Sequence, residues 1–157
     1  MSKPAPSEPP SDLVRGRCLC GAVGVTVEGP RRAIEACHCS KCQQWTGGPY
    51  LGVSGQRFSV HGLDQVQVFR SSAWAERAFC RQCGSTLWFH FIPGDHRSFA
   101  AGLFRLSSDF VLGQQIFIDE KPGWYDFAQQ TAMKSGPEII GEARAAGFEL
   151  GESTSDD

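Results

Sequence analysis

All seven cysteines of this 157-residue chain fall into three short groups. The groups are Cys18-Leu19-Cys20, Cys37-His38-Cys39-Ser40-Lys41-Cys42 and Cys80-Arg81-Gln82-Cys83. Disulfide frameworks spread their cysteines so that each bridge closes a loop, whereas thiolates that share a metal ion occur in pairs two or three residues apart. The spacing therefore predicts metal binding. Because seven is odd, one closed four-thiolate site leaves three cysteines, and a catalytic zinc is commonly held by three protein ligands with an open fourth position.

Two of the cysteine groups are followed directly by glycine. Gly21 and Gly84 allow the chain to turn tightly behind the second sulfur and to direct backbone N–H groups towards it. The central group lacks such a glycine. We therefore predict two zinc ions per chain, a structural one on Cys18, Cys20, Cys80 and Cys83 and a catalytic one on Cys37, Cys39 and Cys42. A mixed pairing, such as the first two cysteines with Cys37 and Cys39, stays open at this point.

Composition limits the class of protein. Hydrophobic residues make up 41% of the chain, and no apolar run approaches the roughly 20 residues that a membrane span needs. The start of the chain has no apolar signal segment, so we expect a cytoplasmic protein with reduced thiols and no membrane partner. The formal net charge of −2 provides no basic surface for a phosphate backbone, which argues against a nucleic-acid partner.

The pattern between the termini predicts an all-β fold of short antiparallel strands. We expect a disordered Pro-rich tail over residues 1–12, one zinc-binding β domain over 13–150, and a frayed acidic end over 151–157. The segment Ser135 to Glu149 contains glycine and proline among helix formers and predicts at most one short helix. The predicted strands cover residues 22–27, 33–37, 50–53, 57–60, 65–70, 75–79, 86–91, 98–101 and 115–118.

The three-cysteine set predicts sulfur chemistry. Zinc with three thiolates has a formal charge of −1, which makes it a weak Lewis acid for generating hydroxide. An incoming thiol would complete an all-sulfur shell and lose its proton on coordination. A small aldehyde beside this sulfur would be attacked at its carbonyl carbon, without a redox cofactor. The expected substrates are therefore a small thiol and a small aldehyde.

The order of these motifs resembles the glutathione-dependent formaldehyde-activating enzyme family, and a similar domain occurs in centromere protein V. The resemblance covers about residues 14 to 127. It rests on C-x-C-G at 18–21, C-H-C-x-x-C at 37–42 with a following Thr46-Gly47, F-C-x-x-C-G-[ST] at 79–85, and the late segment 116–125. It implies a β-tent fold, the same two zinc sites, and a carbon–sulfur lyase that forms S-(hydroxymethyl)glutathione from formaldehyde and glutathione.

Residues near the cysteine groups, and the isolated histidines, are candidates for other roles. Trp45, Gly47 and Gly48 closely follow the three-cysteine set and are predicted substrate contacts. On an extended segment the ring of His38 would point away from the face of its neighbouring cysteines, which predicts packing or support of the ligands rather than ligation. Ordinary strand or surface roles are predicted for His61, His90 and His96, and Arg17, Lys41 and Arg81 are weak candidates for offsetting thiolate charge.

Two alternatives to the catalytic interpretation remain. The second zinc site would be purely structural if His38 or an acidic residue closed it. The whole chain would then be a non-catalytic, zinc-stapled protein-binding domain, which the centromere protein V resemblance permits. Such domains usually have basic or Pro-rich extensions, and this chain has only a short Pro-rich start. A zinc-dependent carbon–sulfur lyase is therefore the favoured hypothesis.

Overall fold

The computed structural model describes residues 12–151, which form mostly β-strands and two α-helices. The strands are β1 (Leu13–Arg17), β2 (Gly24–Glu28), β3 (Ala33–Cys37), β4 (Tyr50–Val53), β5 (Arg57–His61), β6 (Val66–Ser72), β7 (Ala75–Cys80), β8 (Thr86–Phe91), β9 (His96–Ala100), β10 (Val111–Ile116) and β11 (Ala132–Lys134). The helices are α1 (Ser40–Thr46) and α2 (Gly136–Ala145). The all-β class is confirmed. The predicted disorder over 1–12 and fraying over 151–157 fall, apart from Asp12 and Gly151, outside the described residues.

The described strands form two sheets. The smaller has the order β1-β2-β5, and the larger has the order β11-β10-β3-β4-β9-β8-β7-β6. Most neighbours are antiparallel, but β10 pairs in parallel with both β3 and β11. β3 therefore lies inside the larger sheet, between β10 and β4, and its last residue is Cys37.

The main core lies on the buried face of the smaller sheet. Val25 and Val27 alternate with more exposed residues along β2, as expected for a strand with one face covered. They belong to one buried cluster with Leu87 and Trp88 of β8 and Phe99 of β9. Cys18 and Cys80 are members of the same cluster. One predicted metal site is thus continuous with the hydrophobic core.

Helix α1 was not predicted from the sequence. Cys39 is its N-cap, and the Cys39 Sγ accepts a hydrogen bond from the Cys42 N–H at 3.3 Å. Gly47 ends the helix with a φ of 82°, a left-handed conformation that glycine adopts without strain, and donates its N–H to the Gln43 carbonyl. Residues after Cys39 are therefore helical, and the extended conformation assumed for His38 and its two neighbouring cysteines does not continue to Cys42.

Helix α2 forms despite the glycine and proline in its sequence. Ser135 and Glu138 form a capping box, in which each side chain accepts a hydrogen bond from the backbone N–H of the other. Pro137 lies in the first turn, where its missing N–H removes no helical hydrogen bond. The short helix predicted for this segment is confirmed.

Candidate metal centres

The first cluster comprises Cys18, Cys20, Cys80 and Cys83. Their four Sγ atoms lie within 4.8 Å of one another. Cys18 and Cys20 are 3.6 Å apart at sulfur, and Cys20 and Cys80 are 3.7 Å apart. In tetrahedral zinc sites a Zn–S distance of about 2.3 Å places neighbouring sulfurs about 3.8 Å apart. The donor type and spacing of this cluster therefore fit one zinc ion.

The turns around the first cluster depend on the two glycines. Gly21 and Gly84 have φ values of 81° and 74°, so a side chain at either position would be strained. The tight turn after Cys18 brings the Val23 N–H to the Cys18 Sγ at 3.3 Å. At the other turn, hydrogen bonds from the Ser85 hydroxyl and backbone N–H lower the pKa of Cys83 to about 5. Both turns thus stabilise sulfur in its anionic form.

The first cluster joins the two sheets. Cys18 directly follows β1 of the smaller sheet, whereas Cys80 is the last residue of β7 in the larger one. Both are buried in the core, and Leu19 between the first pair of cysteines is exposed and donates its N–H to Ser85 Oγ. An ion bound here would link segments that are 60 residues apart in the sequence, which is the arrangement expected of a structural site.

The second cluster comprises Cys37, Cys39 and Cys42. Cys37 ends β3, Cys39 caps α1, and Cys42 lies buried within α1. Their sulfurs also lie within 4.8 Å of one another. Between residues 12 and 151, no donor atom of a fourth cysteine, histidine, aspartate or glutamate joins this group. The structure thus brings together the two cysteine sets that the glycine argument predicted, rather than the mixed sets.

The second cluster favours one thiolate when it holds no cation. Hydrogen bonds from Cys37 and Cys42 lower the pKa of Cys39 to about 2. The same interactions with Cys39 and Cys42, together with burial, raise the pKa of Cys37 far above its ordinary value. Three thiolates cannot lie this close in a buried position without an opposing charge. A divalent, thiophilic cation supplies that charge, so this donor set also fits zinc.

His38 is fully buried and does not belong to the second cluster. Its Nε2 hydrogen-bonds Gln115 Oε1 at 2.9 Å, and its Nδ1 hydrogen-bonds the Tyr125 hydroxyl at 2.5 Å. Both ring nitrogens therefore have partners on neighbouring segments. This arrangement agrees with the predicted packing and supporting role, and it argues against His38 as the fourth ligand.

Arg77 is a site residue that was not predicted from the sequence. It lies on β7, is only 6% exposed, and donates from Nη1 to the Cys42 Sγ at 3.4 Å. The guanidinium also lies over the rings of Trp45, at 4.9 Å, and Phe89, at 5.3 Å. Because arginine stays charged, Arg77 offsets the negative charge of the cluster. Arg77 and Cys42 are 35 positions apart in the sequence, so local spacing does not indicate their contact.

The predicted substrate contacts lie in different surroundings. Trp45 is half-buried, stacks on Tyr50 with ring centroids 5.2 Å apart, and lines a cavity beside α1. Gly47 forms the C-cap of the helix, and neither it nor Gly48 lines that cavity. A side-chain carbon built at either glycine would meet nothing within 4 Å, so both positions border open space.

The other weak candidates have separate roles. Arg17 is part of β1, and Arg81 is exposed in the turn after Cys80. Lys41 is exposed on α1 and donates to the Ser71 carbonyl at 3.1 Å. Among the histidines, His90 is half-buried and hydrogen-bonds Glu76 at 3.2 Å and Asp95 at 2.8 Å. Arg17 and Arg81 directly neighbour cysteines of the first cluster in the sequence, and Lys41 lies between two cysteines of the second.

The fold and the two clusters define a class of small, mostly β proteins with paired four-cysteine and three-cysteine centres. A family sequence profile described as "Glutathione-dependent formaldehyde-activating enzyme" matches residues 13–118, which contain every cysteine. The chain belongs to this family. Neither helix between residues 12 and 151 has the length and apolar character required to cross a membrane.

Three curated relatives and one solved structure are similar to the chain. An "Uncharacterized lyase" of Schizosaccharomyces pombe is 36% identical over 80% of this chain and 93% of its own length. A "Putative glutathione-dependent formaldehyde-activating enzyme" of Halomonas elongata is 33% identical over 48% of this chain and 55% of its own. A protein with the same name from Podospora anserina is 31% identical over 94% of this chain and 71% of its own. A Rhodobacter sphaeroides protein of known crystal structure aligns with a TM-score of 0.50 at 21% identity, covering 60% of this chain and 90% of that one, which supports the fold alone.

Proposed function

We propose that this chain is a zinc-dependent carbon–sulfur lyase, or adduct-forming enzyme, that joins a small glutathione-like thiol to a small formaldehyde-like aldehyde. The observation that carries the proposal is the three-sulfur cluster of Cys37, Cys39 and Cys42, to which the described residues add no fourth donor. The names of the family and of its relatives support the same class of reaction. The proposal includes one zinc ion on each cluster and a cytoplasmic location, where thiols stay reduced.

The proposed reaction balances without an external oxidant or reductant. The sulfur lone pair of the thiol forms a bond to the aldehyde carbon, and the C=O π electrons move to oxygen. The thiol loses one proton and the new alkoxide takes one up, so the product is a hydroxymethyl thioether when the aldehyde is formaldehyde. In the reverse direction the C–S bond breaks and the reaction is a lyase reaction. The chemistry needs a thiolate and a nearby carbonyl, held in place.

The chain supplies the surroundings for this chemistry. Zinc on the second cluster would lower the pKa of a bound thiol and so provide a thiolate at neutral pH. Arg77 donates to Cys42 and offsets the charge of the three sulfurs. Gln43 donates from Nε2 to the carbonyls of His38, at 2.7 Å, and of Glu120, at 3.0 Å, which holds the start of α1 in place. We propose Trp45, Gly47 and Gly48 as the substrate-facing border of the site.

The test is the rate of exchange between free and thiol-bound formaldehyde, measured by NMR with ¹³C-formaldehyde and glutathione. We expect the zinc-loaded protein to accelerate this exchange. The Cys39→Ser variant should abolish the acceleration, because it removes a thiolate from the cluster. Serine is a preferred N-cap, so it preserves the start of α1, and the loss of activity will not result from a melted helix.

The matched control is Ser40→Ala, which changes the adjacent exposed position and leaves all three sulfurs in place. We expect its exchange rate to equal that of the unchanged protein. Exchange that is not accelerated by the zinc-loaded protein would reject glutathione and formaldehyde as its substrates. If Cys39→Ser accelerated the exchange as much as the unchanged protein does, the second cluster would be rejected as the reaction site.

A further inference from the structure

A cavity of about 320 Å³ lies between α1 and the adjacent strands β6 and β7. The helix contributes one turn of residues at i, i+3 and i+4 spacing, and the strands contribute the opposite wall. The lining residues are Lys41, Gln44, Trp45, Phe69, Ser71, Arg77 and Phe79. Because Arg77 lines the cavity and also donates to Cys42, the cavity lies next to the second cluster. Its volume is at the lower end for small-molecule sites.

The charge of the cavity is positive. Its lining contains two cations and no carboxylate. Lys41 uses one ammonium N–H for the Ser71 carbonyl, which leaves two for another partner. The phenylalanine and tryptophan rings supply apolar walls between the polar groups. A ligand that suits these walls combines a negative charge with a short apolar portion.

Arg77 has an unsatisfied donor. Its Nε–H is buried and has no hydrogen-bond partner among the described residues. Leaving a buried charged donor unpaired costs free energy, so the guanidinium has hydrogen-bonding capacity that the described residues do not use. Trp45 and Phe89 lie against the guanidinium, and Nη1 is directed to Cys42, so its orientation is set before a ligand arrives. This arrangement is suited to a planar carboxylate, which pairs with the guanidinium fork.

We propose that this cavity binds the carboxylate of the substrate thiol, so that the enzyme selects thiols that carry a negative charge a few bonds from sulfur. The inference rests on the proposed function and names the substrate class for the same site. Arg77 and Lys41 bind the carboxylate, the aromatic walls contact the carbon chain, and the thiol end extends towards the second cluster. The carboxylate takes no part in bond making or breaking.

The test compares two thiols of equal chain length, 3-mercaptopropionate and 3-mercaptopropan-1-ol, by calorimetric titration of the zinc-loaded protein. We expect the anionic thiol to bind at least about tenfold more tightly. Lys41→Gln should weaken the binding of 3-mercaptopropionate up to about fivefold, as expected for an exposed ion pair, and should leave the binding of the neutral thiol unchanged. The control is Arg81→Gln, which removes an exposed cation outside the cavity and should change neither thiol.

A second variant separates recognition from folding. Arg77→Lys keeps the positive charge but loses the fork, and it should reduce the preference for the anionic thiol about tenfold, with zinc content and circular dichroism as checks on the fold. Equal binding of the two thiols by the unchanged protein would overturn the inference, as would variants that weaken both thiols equally. Accelerated adduct formation with no preference for the anionic thiol would reject the subsite and keep the proposed function. Selective binding of the anionic thiol without adduct formation would keep the subsite and reject the proposed function.

Discussion

The two cysteine clusters differ in what they connect. The first cluster combines sulfurs from segments 60 residues apart, joins the two sheets, and contributes Cys18 and Cys80 to the main core. The second uses residues within a six-residue segment where β3 gives way to α1. A cation that links distant segments contributes directly to the stability of the fold, whereas a cation held by one local segment contributes little to it. We therefore propose a structural role for the first cluster and a chemical role for the second.

The largest expected effect is on the first cluster. Cys80→Ser removes a ligand from the core and leaves a hydroxyl group in its place. Structural zinc contributes on the order of ten kcal/mol where binding and folding are coupled, so we expect an unfolded or insoluble protein. Soluble yield and far-UV circular dichroism measure this effect, with Leu19→Ser as a control because it changes an exposed residue of the same turn. If the Cys80→Ser protein unfolded at the same temperature as the unchanged protein, the structural role of the first cluster would be rejected.

Metal removal should occur in two stages. We expect two zinc ions per purified, reduced chain, and a chelator should first remove one equivalent while the circular dichroism spectrum stays the same. That equivalent comes from the second cluster, because three protein ligands hold the ion less completely than four. Removal of the second equivalent should unfold the chain. Loss of both ions in one step with unfolding would show that the clusters do not differ in this way.

Replacement in the second cluster should leave stability nearly unchanged. In Cys39→Ser the new hydroxyl caps α1 in place of sulfur, so we expect the free energy of unfolding to change by less than about 1 kcal/mol. Zinc content should fall from two ions to one. Urea denaturation and metal analysis of the same sample measure both quantities. An unfolded Cys39→Ser protein would place the second cluster with the first as a structural site.

The smallest expected effect concerns the support behind the second cluster. Tyr125→Phe removes one of the two hydrogen bonds to the buried His38 and keeps the bond to Gln115. We expect a loss of about 1 kcal/mol in the free energy of unfolding, measured in urea. The control is Trp124→Phe, an exposed neighbour that should have a smaller effect. If Tyr125→Phe lowered the free energy of unfolding no more than the control does, the hydrogen bond between Tyr125 and His38 would contribute nothing to stability.

The sequence predicted those features that depend on local spacing. Cysteine pairs and the glycines behind them are short-range signals, and Gly21 and Gly84 do adopt the left-handed conformation that the turns require. Strand composition likewise predicted the all-β class. Helix α1 was missed because it has only seven residues and its N-cap is a cysteine, which is not among the usual capping residues. The structure itself was needed to detect this helix.

Arg77 was missed for a different reason. Its contact with Cys42 depends on where β7 lies relative to α1, and nothing in the spacing of the two residues indicates it. Arg17 and Arg81 were more obvious candidates from the sequence because each directly neighbours a cysteine of the first cluster. Contacts of this kind depend on tertiary packing, which a single sequence does not reveal.

Strand β7 is shared by the two regions. It carries Arg77 beside the second cluster and, three residues later, Cys80 in the first. A disturbance that frees the end of this strand will also loosen the arginine that contacts Cys42. Because Cys20 is exposed, we expect that a modification of its sulfur would release the end of β7 and so disturb the second cluster from a distance.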